Sequence, residues 1–277
     1  MVKDIVVNLS IAPERDVAAD YALSVAQTFG AEITGLAFAY EPLMPATALD
    51  SLPAEIIEKQ RLESDQAARL AIAAFEDAAR SRGLKVQSEI LDATLDGAPD
   101  TFGSMARIFD VSVLAQADPD GSVAPEQRII EAALFQSGHP TIIVPYIQKD
   151  ALSLDRVLVC WDGSRPASRA VSDALPFLAR AEEVEVITVV KDDAADDDRS
   201  GKRLVQHLAR HDIKAQFRRI PMGDIDAGSA ILSYVSDSAT SLMVMGGYGH
   251  SRLRELMLGG VSRRILDSMT VPVLMSH

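Results

Sequence analysis

A parallel α/β architecture, built twice in tandem, is the fold class this sequence predicts. Three observations carry it. Short β-branched strands alternate with amphipathic helical stretches, the alternation occurs in both halves, and each half closes on a similar Pro-containing strand.

Residues 2–9 (Val-Lys-Asp-Ile-Val-Val-Asn-Leu) and 154–161 (Leu-Asp-Arg-Val-Leu-Val-Cys-Trp) are the opening strands. Each leads to a helix, roughly 14–29 and 165–180. Apolar residues recur there at helical spacing: Val17, Tyr21, Val25, Ala26 and Phe29, then Ala167, Val171, Leu175 and Leu178. Strands follow at Glu32–Ala39 and Glu185–Val190. The closing segments echo each other, His139-Pro140-Thr-Ile-Ile-Val144 against Thr270-Val-Pro272-Val-Leu-Met275. The halves are offset by 152 residues at the front and 132 at the back, so the first holds about twenty extra residues. These are expected in 41–62, where a Pro-rich stretch leads into a long amphipathic helix from about Pro53 to Arg82. Its apolar positions Ile56, Leu62, Leu70 and Phe75 are expected under the sheet or under a partner subunit. The short polar segment Gln148–Ser153 ties the halves closely together.

At 277 residues, with 48% hydrophobic and 24% charged side chains, the chain has room for two ordinary cores. No apolar run reaches the length of a membrane span, and the N-terminus enters a strand directly without signal-peptide character. A single cysteine, Cys160, excludes an internal disulfide and fits a cytoplasmic setting. The net charge of −13 argues against nucleic acid and anionic membranes as partners. Residues 1–150 carry 11 Lys/Arg against 23 Asp/Glu, whereas residues 151–277 carry 16 against 17. An anionic ligand is therefore repelled less by the second half.

That half also holds the most informative stretch. The apolar run Leu242-Met-Val-Met stops at Gly246-Gly-Tyr-Gly249. A helical piece follows over Ser251–Leu258, then Gly259-Gly260-Val261-Ser262 and a second helical piece. Glycines between a strand and a helix let backbone N–H groups approach an anion, and the helix N-terminus adds positive potential. Two such loops within sixteen residues can converge on one polyphosphate. The same glycines also suit turns and caps with no ligand. At the end of the other strand, Asp162-Gly163-Ser164 can present a carboxylate to an adenine amino group or a ribose, or can cap the following helix. His250 and Arg252 stand where a phosphate is within reach. Trp161 borders the crevice and can either lie against a base or cover the sheet end. Cys160 reads as an inert buried thiol, and Met243, Met245, Met257 and Met275 read as core fillers. The acidic run after Lys191 can bind Mg²⁺ but reads first as a solvated loop.

The spacing Gly246-x2-Gly249-x9-Gly259, with its flanking strands, resembles the nucleotide-binding signature of the universal stress protein family. One departure stands out: Gly260 occupies the place of a Ser/Thr expected to touch phosphate, while Ser262 keeps the second hydroxyl. The resemblance implies two tandem Rossmann-like domains of the adenine nucleotide alpha hydrolase-like kind, 1–148 and 153–277. Each would be a five-stranded parallel sheet with helices on both faces, the two packed through Thr141–Pro145 and Val271–Ser276. It implies an adenine nucleotide as ligand, ATP or its AMP and ADP relatives, with or without Mg²⁺. The implied contacts are Asp162, Val189, Gly246, Gly249, Gly259, Gly260, Val261 and Ser262; on the residues alone, Val189 is a core valine. The implied role is that of a regulator in stress resistance, with a second copy of the chain as a candidate partner.

Aligned by its strands, the first half has lost this pattern. Ser10 faces Asp162, Gln127-Arg128 face Gly259-Gly260, and Ile130 faces Ser262. The loop after Val111–Ala115 carries Asp118 and Asp120 in place of paired glycines, so the first half is expected to hold no nucleotide. No nucleophile motif or Walker lysine is present, and an enzyme is not expected beyond slow ATP hydrolysis. The rival from another class is a structural or interaction protein of the same fold with empty loops. An adenylating enzyme would need a PP-motif and a substrate domain that the length does not supply.

Overall fold

A computed structural model of the chain describes residues 1–11, 15–41, 54–117, 125–191, 198–248 and 260–277. The first half runs β1 (Asp4–Asn8), α1 (Val17–Phe29), β2 (Glu32–Tyr40), α2 (Ala54–Ser81), β3 (Gln87–Ala93) and α3 (Ala98–Met105). A turn of 3-10 helix (Ala106–Ile108), β4 (Val111–Ala115), α4 (Pro125–Gln136) and β5 (Thr141–Val144) complete it. The second half runs β6 (Arg156–Cys160), α5 (Arg165–Leu178), β7 (Glu183–Val190), α6 (Arg199–Ala209) and β8 (Ala215–Pro221). It ends with α7 (Ala227–Asp237), β9 (Leu242–Gly246), α8 (Val261–Ser268) and β10 (Val273–Ser276).

The strands form one sheet of ten, in the order β3-β2-β1-β4-β5-β10-β9-β6-β7-β8. Neighbours within each half are parallel. At the seam β5 and β10 run antiparallel, with Thr141 opposite Met275, Ile142 opposite Leu274 and Ile143 opposite Val273. The expected pairing through the last strands is therefore present, but the two blocks of five are not separate sheets. Each block leaves an open edge at its last strand, and edge N–H and C=O groups need partners.

Successive strand residues point to opposite faces, so each strand feeds two cores. Ile5 and Val7 join a core with α1, α2, α5 and α6, whereas Val6 joins one with α3, α4, α7 and α8. Helices thus cover both faces, as expected. Helix α1 opens on Asp16, whose carboxylate accepts from Ala19 N, and closes on Gly30 at φ +62°. Helix α5 opens on Ser164, whose hydroxyl accepts from Ala167 N at 3.2 Å.

The extra length of the first half goes largely into helix: α2 has 28 residues against 11 in α6. Of its apolar positions the sheet covers Phe75, whereas Ile56, Leu62 and Leu70 are exposed in the single chain, so the first of the two expected covers, the sheet, holds for Phe75 and not for these three. Ser64 Oγ accepts from Tyr40 N at the last residue of β2. The turns before Ser64 therefore run past the strand's end and find no sheet beneath them, while Leu70 lies on the outer face. Phe75 packs over Gly35, where a Cβ would fall 2.7 Å from its ring.

The halves also meet away from the seam. Phe29 and Phe177 pack edge to face at 4.8 Å, and Arg180 lies 4.5 Å over Phe29 while donating to Thr28 O. The connecting segment is held by the first half: Arg15 donates to Gln148 O and Lys149 O, and Leu152 N donates to Ser24 Oγ.

Candidate functional site

From β6 the chain moves outward through α5 to β7 and β8, then returns across β6 to β9 and β10. The connections leaving β6 and β9 diverge at their carboxyl ends, the place where open parallel sheets form a crevice. Asp162 follows β6, Val189 lies near the end of β7, Gly246 ends β9, and Gly260, Val261 and Ser262 open α8. Six of the eight sequence-predicted residues thus lie along one sheet edge. Gly249 and Gly259 lie outside the described residues, as do His250, Arg252, Met257 and the acidic run 192–197.

Geometry assigns several of these residues a local task. Asp162 Oδ1 accepts from Ser164 N at 2.9 Å, closing the turn that lets Ser164 cap α5. Both readings of this triplet are compatible, since Asp162 stays exposed. Gly246 is required by packing: a Cβ there would sit 2.4 Å from Ala167 N and 2.6 Å from Pro166 C, backbone against backbone. Ser262 is buried, and its hydroxyl oxygen accepts from Tyr248 N at 3.0 Å. That bond ties the chain leaving β9 to the first turn of α8. Helix α8 begins on Gly260 with no side-chain cap. Val189 is half-buried against the α7 and α8 core.

Trp161 takes the covering role. Its Nε1 donates to Ser200 Oγ at 2.9 Å and its ring packs on the core shared with α6. Burial, then the charge of Asp162, pushes the Cys160 thiol up to about 12, which agrees with an inert thiol. Among the described residues no cluster of three metal-ligating side chains occurs, and no helix is long and apolar enough to cross a membrane.

Sequence reasoning missed an aromatic contact between the halves. Phe135 of α4 lies 5.1 Å from the Tyr248 ring and 4.7 Å from the His277 ring, and His277 Nδ1 is 3.0 Å from Gly247 O. Gln116 Nε2 adds a 2.7 Å bond to Leu266 O of α8. Tyr248 has φ +52°, uncommon for a side chain of its size. The signal was a tyrosine set between glycines; its partner 113 positions upstream was not legible.

In the first half the corresponding edge is built differently. Gln127 and Arg128, aligned with Gly259 and Gly260, lie inside α4, and Arg128 pairs with Asp96 at 2.5 Å. A helical turn stands where the sequence of the second half has Gly259-Gly260.

Residues 153–277 match the sequence profile described as the Universal stress protein family. The universal stress protein Slr1230 of Synechocystis is 24% identical over 220 residues, 76% of this chain and 71% of that protein. Among solved structures, a universal stress protein from Archaeoglobus fulgidus superposes with a TM-score of 0.70 at 17% identity, covering 99% of this chain and 95% of its own. A functionally unknown protein from Pseudomonas aeruginosa superposes with a TM-score of 0.63 at 13% identity, covering 99% and 92%. The family match is thus carried by the second half, and over its whole length the chain shares the fold of a solved universal stress protein, as a tandem of two domains of that fold.

Proposed function

We propose that the second half, residues 153–277, binds an adenine nucleotide and that the first half, residues 1–148, does not. The ligand is ATP or its AMP and ADP relatives, with Mg²⁺ arriving as the chelate of ATP. Phosphates would meet the backbone N–H groups of the Gly246–Gly249 and Gly259–Ser262 loops, and adenine and ribose would lie toward Val189 and Asp162. In this reading the chain is a nucleotide-responsive regulator within the stress-associated family, and it is a binding module with no catalytic constellation.

The observation that carries the reading is the start of α8. A helix that opens at a sheet-edge crevice on an uncapped glycine leaves its first N–H groups without a side-chain acceptor among the described residues, and an anion is the natural complement. Two observations favour the rival reading, an interaction scaffold with empty loops. Gly246 is explained by packing alone, and the Ser262 oxygen is already engaged by Tyr248.

Thermal melting separates the two. With ATP-Mg at a hundred times its dissociation constant, binding adds about 2.7 kcal/mol of stability, a Tm rise of about 5–10 °C for a chain of this size. Gly249→Val should abolish the rise and Ser122→Ala should preserve it. A flat response to ATP, ADP and AMP alike leaves the scaffold reading standing.

A further inference from the structure

The first half keeps a cavity at the place where the second half has its candidate site. Strand register equates Asn8 with Cys160, Ser10 with Asp162, Phe38 with Val189 and Ala115 with Gly246. Asn8, Ser10, Phe38 and Ala115 line a cavity of about 220 Å³ together with Tyr40 and Glu126. Pockets for drug-sized ligands run to roughly 300–1,000 Å³, so an occupant here is small.

The chemistry of the lining is the reverse of a phosphate cradle. Asn8 Oδ1 is buried and has no hydrogen-bond partner, an acceptor that calls for a donor. Glu126 sits in the first turn of α4, where its carboxylate already complements the helix N-terminus and repels an anion. It also acts on Tyr40: burial, then the charge of Glu126, pushes that phenol up to about 12, so the hydroxyl stays protonated. The rings of Phe38 and Tyr40 stack at 6.0 Å, offering aromatic surface beside the carboxylate. Leu9, Ile11, Leu114 and Ile129 give the wall its aliphatic part, and Ser10 and Ser64 add hydroxyls. The sequence adds the wider field, 11 cationic against 23 anionic side chains over residues 1–150.

We infer that this cavity binds a small organic cation, an ammonium group carried on a compact apolar or aromatic skeleton. The ammonium would donate to Asn8 Oδ1 and pair with Glu126, while the carbon skeleton lies against Phe38 and Tyr40. Cations are attracted to aromatic faces, and a charge leaving water needs both a counter-charge and hydrogen-bond partners; the cavity offers all three. A bare metal ion suits it poorly, since among the described residues Glu126 is the single carboxylate in the lining.

Three probes of one skeleton test the inference on the full chain: phenethylamine, phenethyl alcohol and phenylacetate, each followed by thermal shift and by calorimetric titration. The amine should raise Tm, the alcohol less, and the acetate not at all. Glu126→Gln, at an exposed helix position that tolerates the change, should weaken the amine about tenfold and erase its advantage over the alcohol. Asn8→Leu should weaken amine and alcohol together. The amine response should persist in Gly249→Val, which separates this site from the nucleotide site. No shift with the amine, equal shifts with amine and alcohol in the wild type, or an amine affinity unchanged in Glu126→Gln would each overturn the inference.

Discussion

Gly246 shows how a motif residue can owe its identity to packing. The first glycine of a phosphate loop and the contact point of a strand with a helix place the same demand on a side chain, that it be absent. With Ala167 N 2.4 Å from the Cβ position, the neighbour is main chain and cannot rotate away. Gly246→Ala should therefore cost roughly 1–3 kcal/mol of stability by overpacking. Gly247→Ala, whose nearest contact is the Met275 methyl at 3.4 Å, should cost far less. Denaturant melts of the two variants check this, and equal midpoints would show that β9 and α5 do not approach so closely. The positions of Asp162, Val189 and Ser262 at the sheet edge were legible because strand ends and helix starts are local properties. Their partners were not: the Ser262–Tyr248 bond and the Trp161–Ser200 bond join residues 14 and 39 apart, set by how the helices pack.

At the scale of elements, α2 is the clearest case of a pattern that outran its burial. Helical spacing of apolar residues announced an amphipathic helix, and the helix is there from Ala54 to Ser81. Spacing reports which face is apolar, however, and says nothing about how far the sheet extends beneath it. At about 1.5 Å per residue the helix is near 42 Å long, while nine strand residues of β2 reach only about 30 Å. Phe75→Ala should accordingly cost about 3–5 kcal/mol, the usual loss for an enclosed aromatic ring. Leu62→Gln and Leu70→Gln should stay within about 0.5 kcal/mol, as exposed positions do. A Leu62→Gln loss comparable to that of Phe75→Ala would mean that the overhanging turns are covered in solution.

Across the whole molecule, the tandem plan was legible because the strand-helix order is written twice and the closing strands match. What the order left open was the continuity of the sheet. Two blocks ending in the same kind of strand can pair with each other, and the antiparallel β5–β10 ladder makes one surface of them. Phe135 then reaches from the first half to Tyr248 at the mouth of the second half's crevice, so the half without a glycine loop still braces the half that has one. The two crevices stand on one sheet with opposite chemistry. A near-neutral field and an uncapped helix start belong to the second, a carboxylate and a buried acceptor to the first. An asymmetry in ligand between halves of the same fold is thus the central prediction. Calorimetric titration of the intact chain with ATP-Mg measures it directly: one nucleotide per chain is predicted, with binding lost in Gly249→Val and retained in Asn8→Leu. Two nucleotides per chain, or a single one that survives Gly249→Val and disappears in Asn8→Leu, would contradict it.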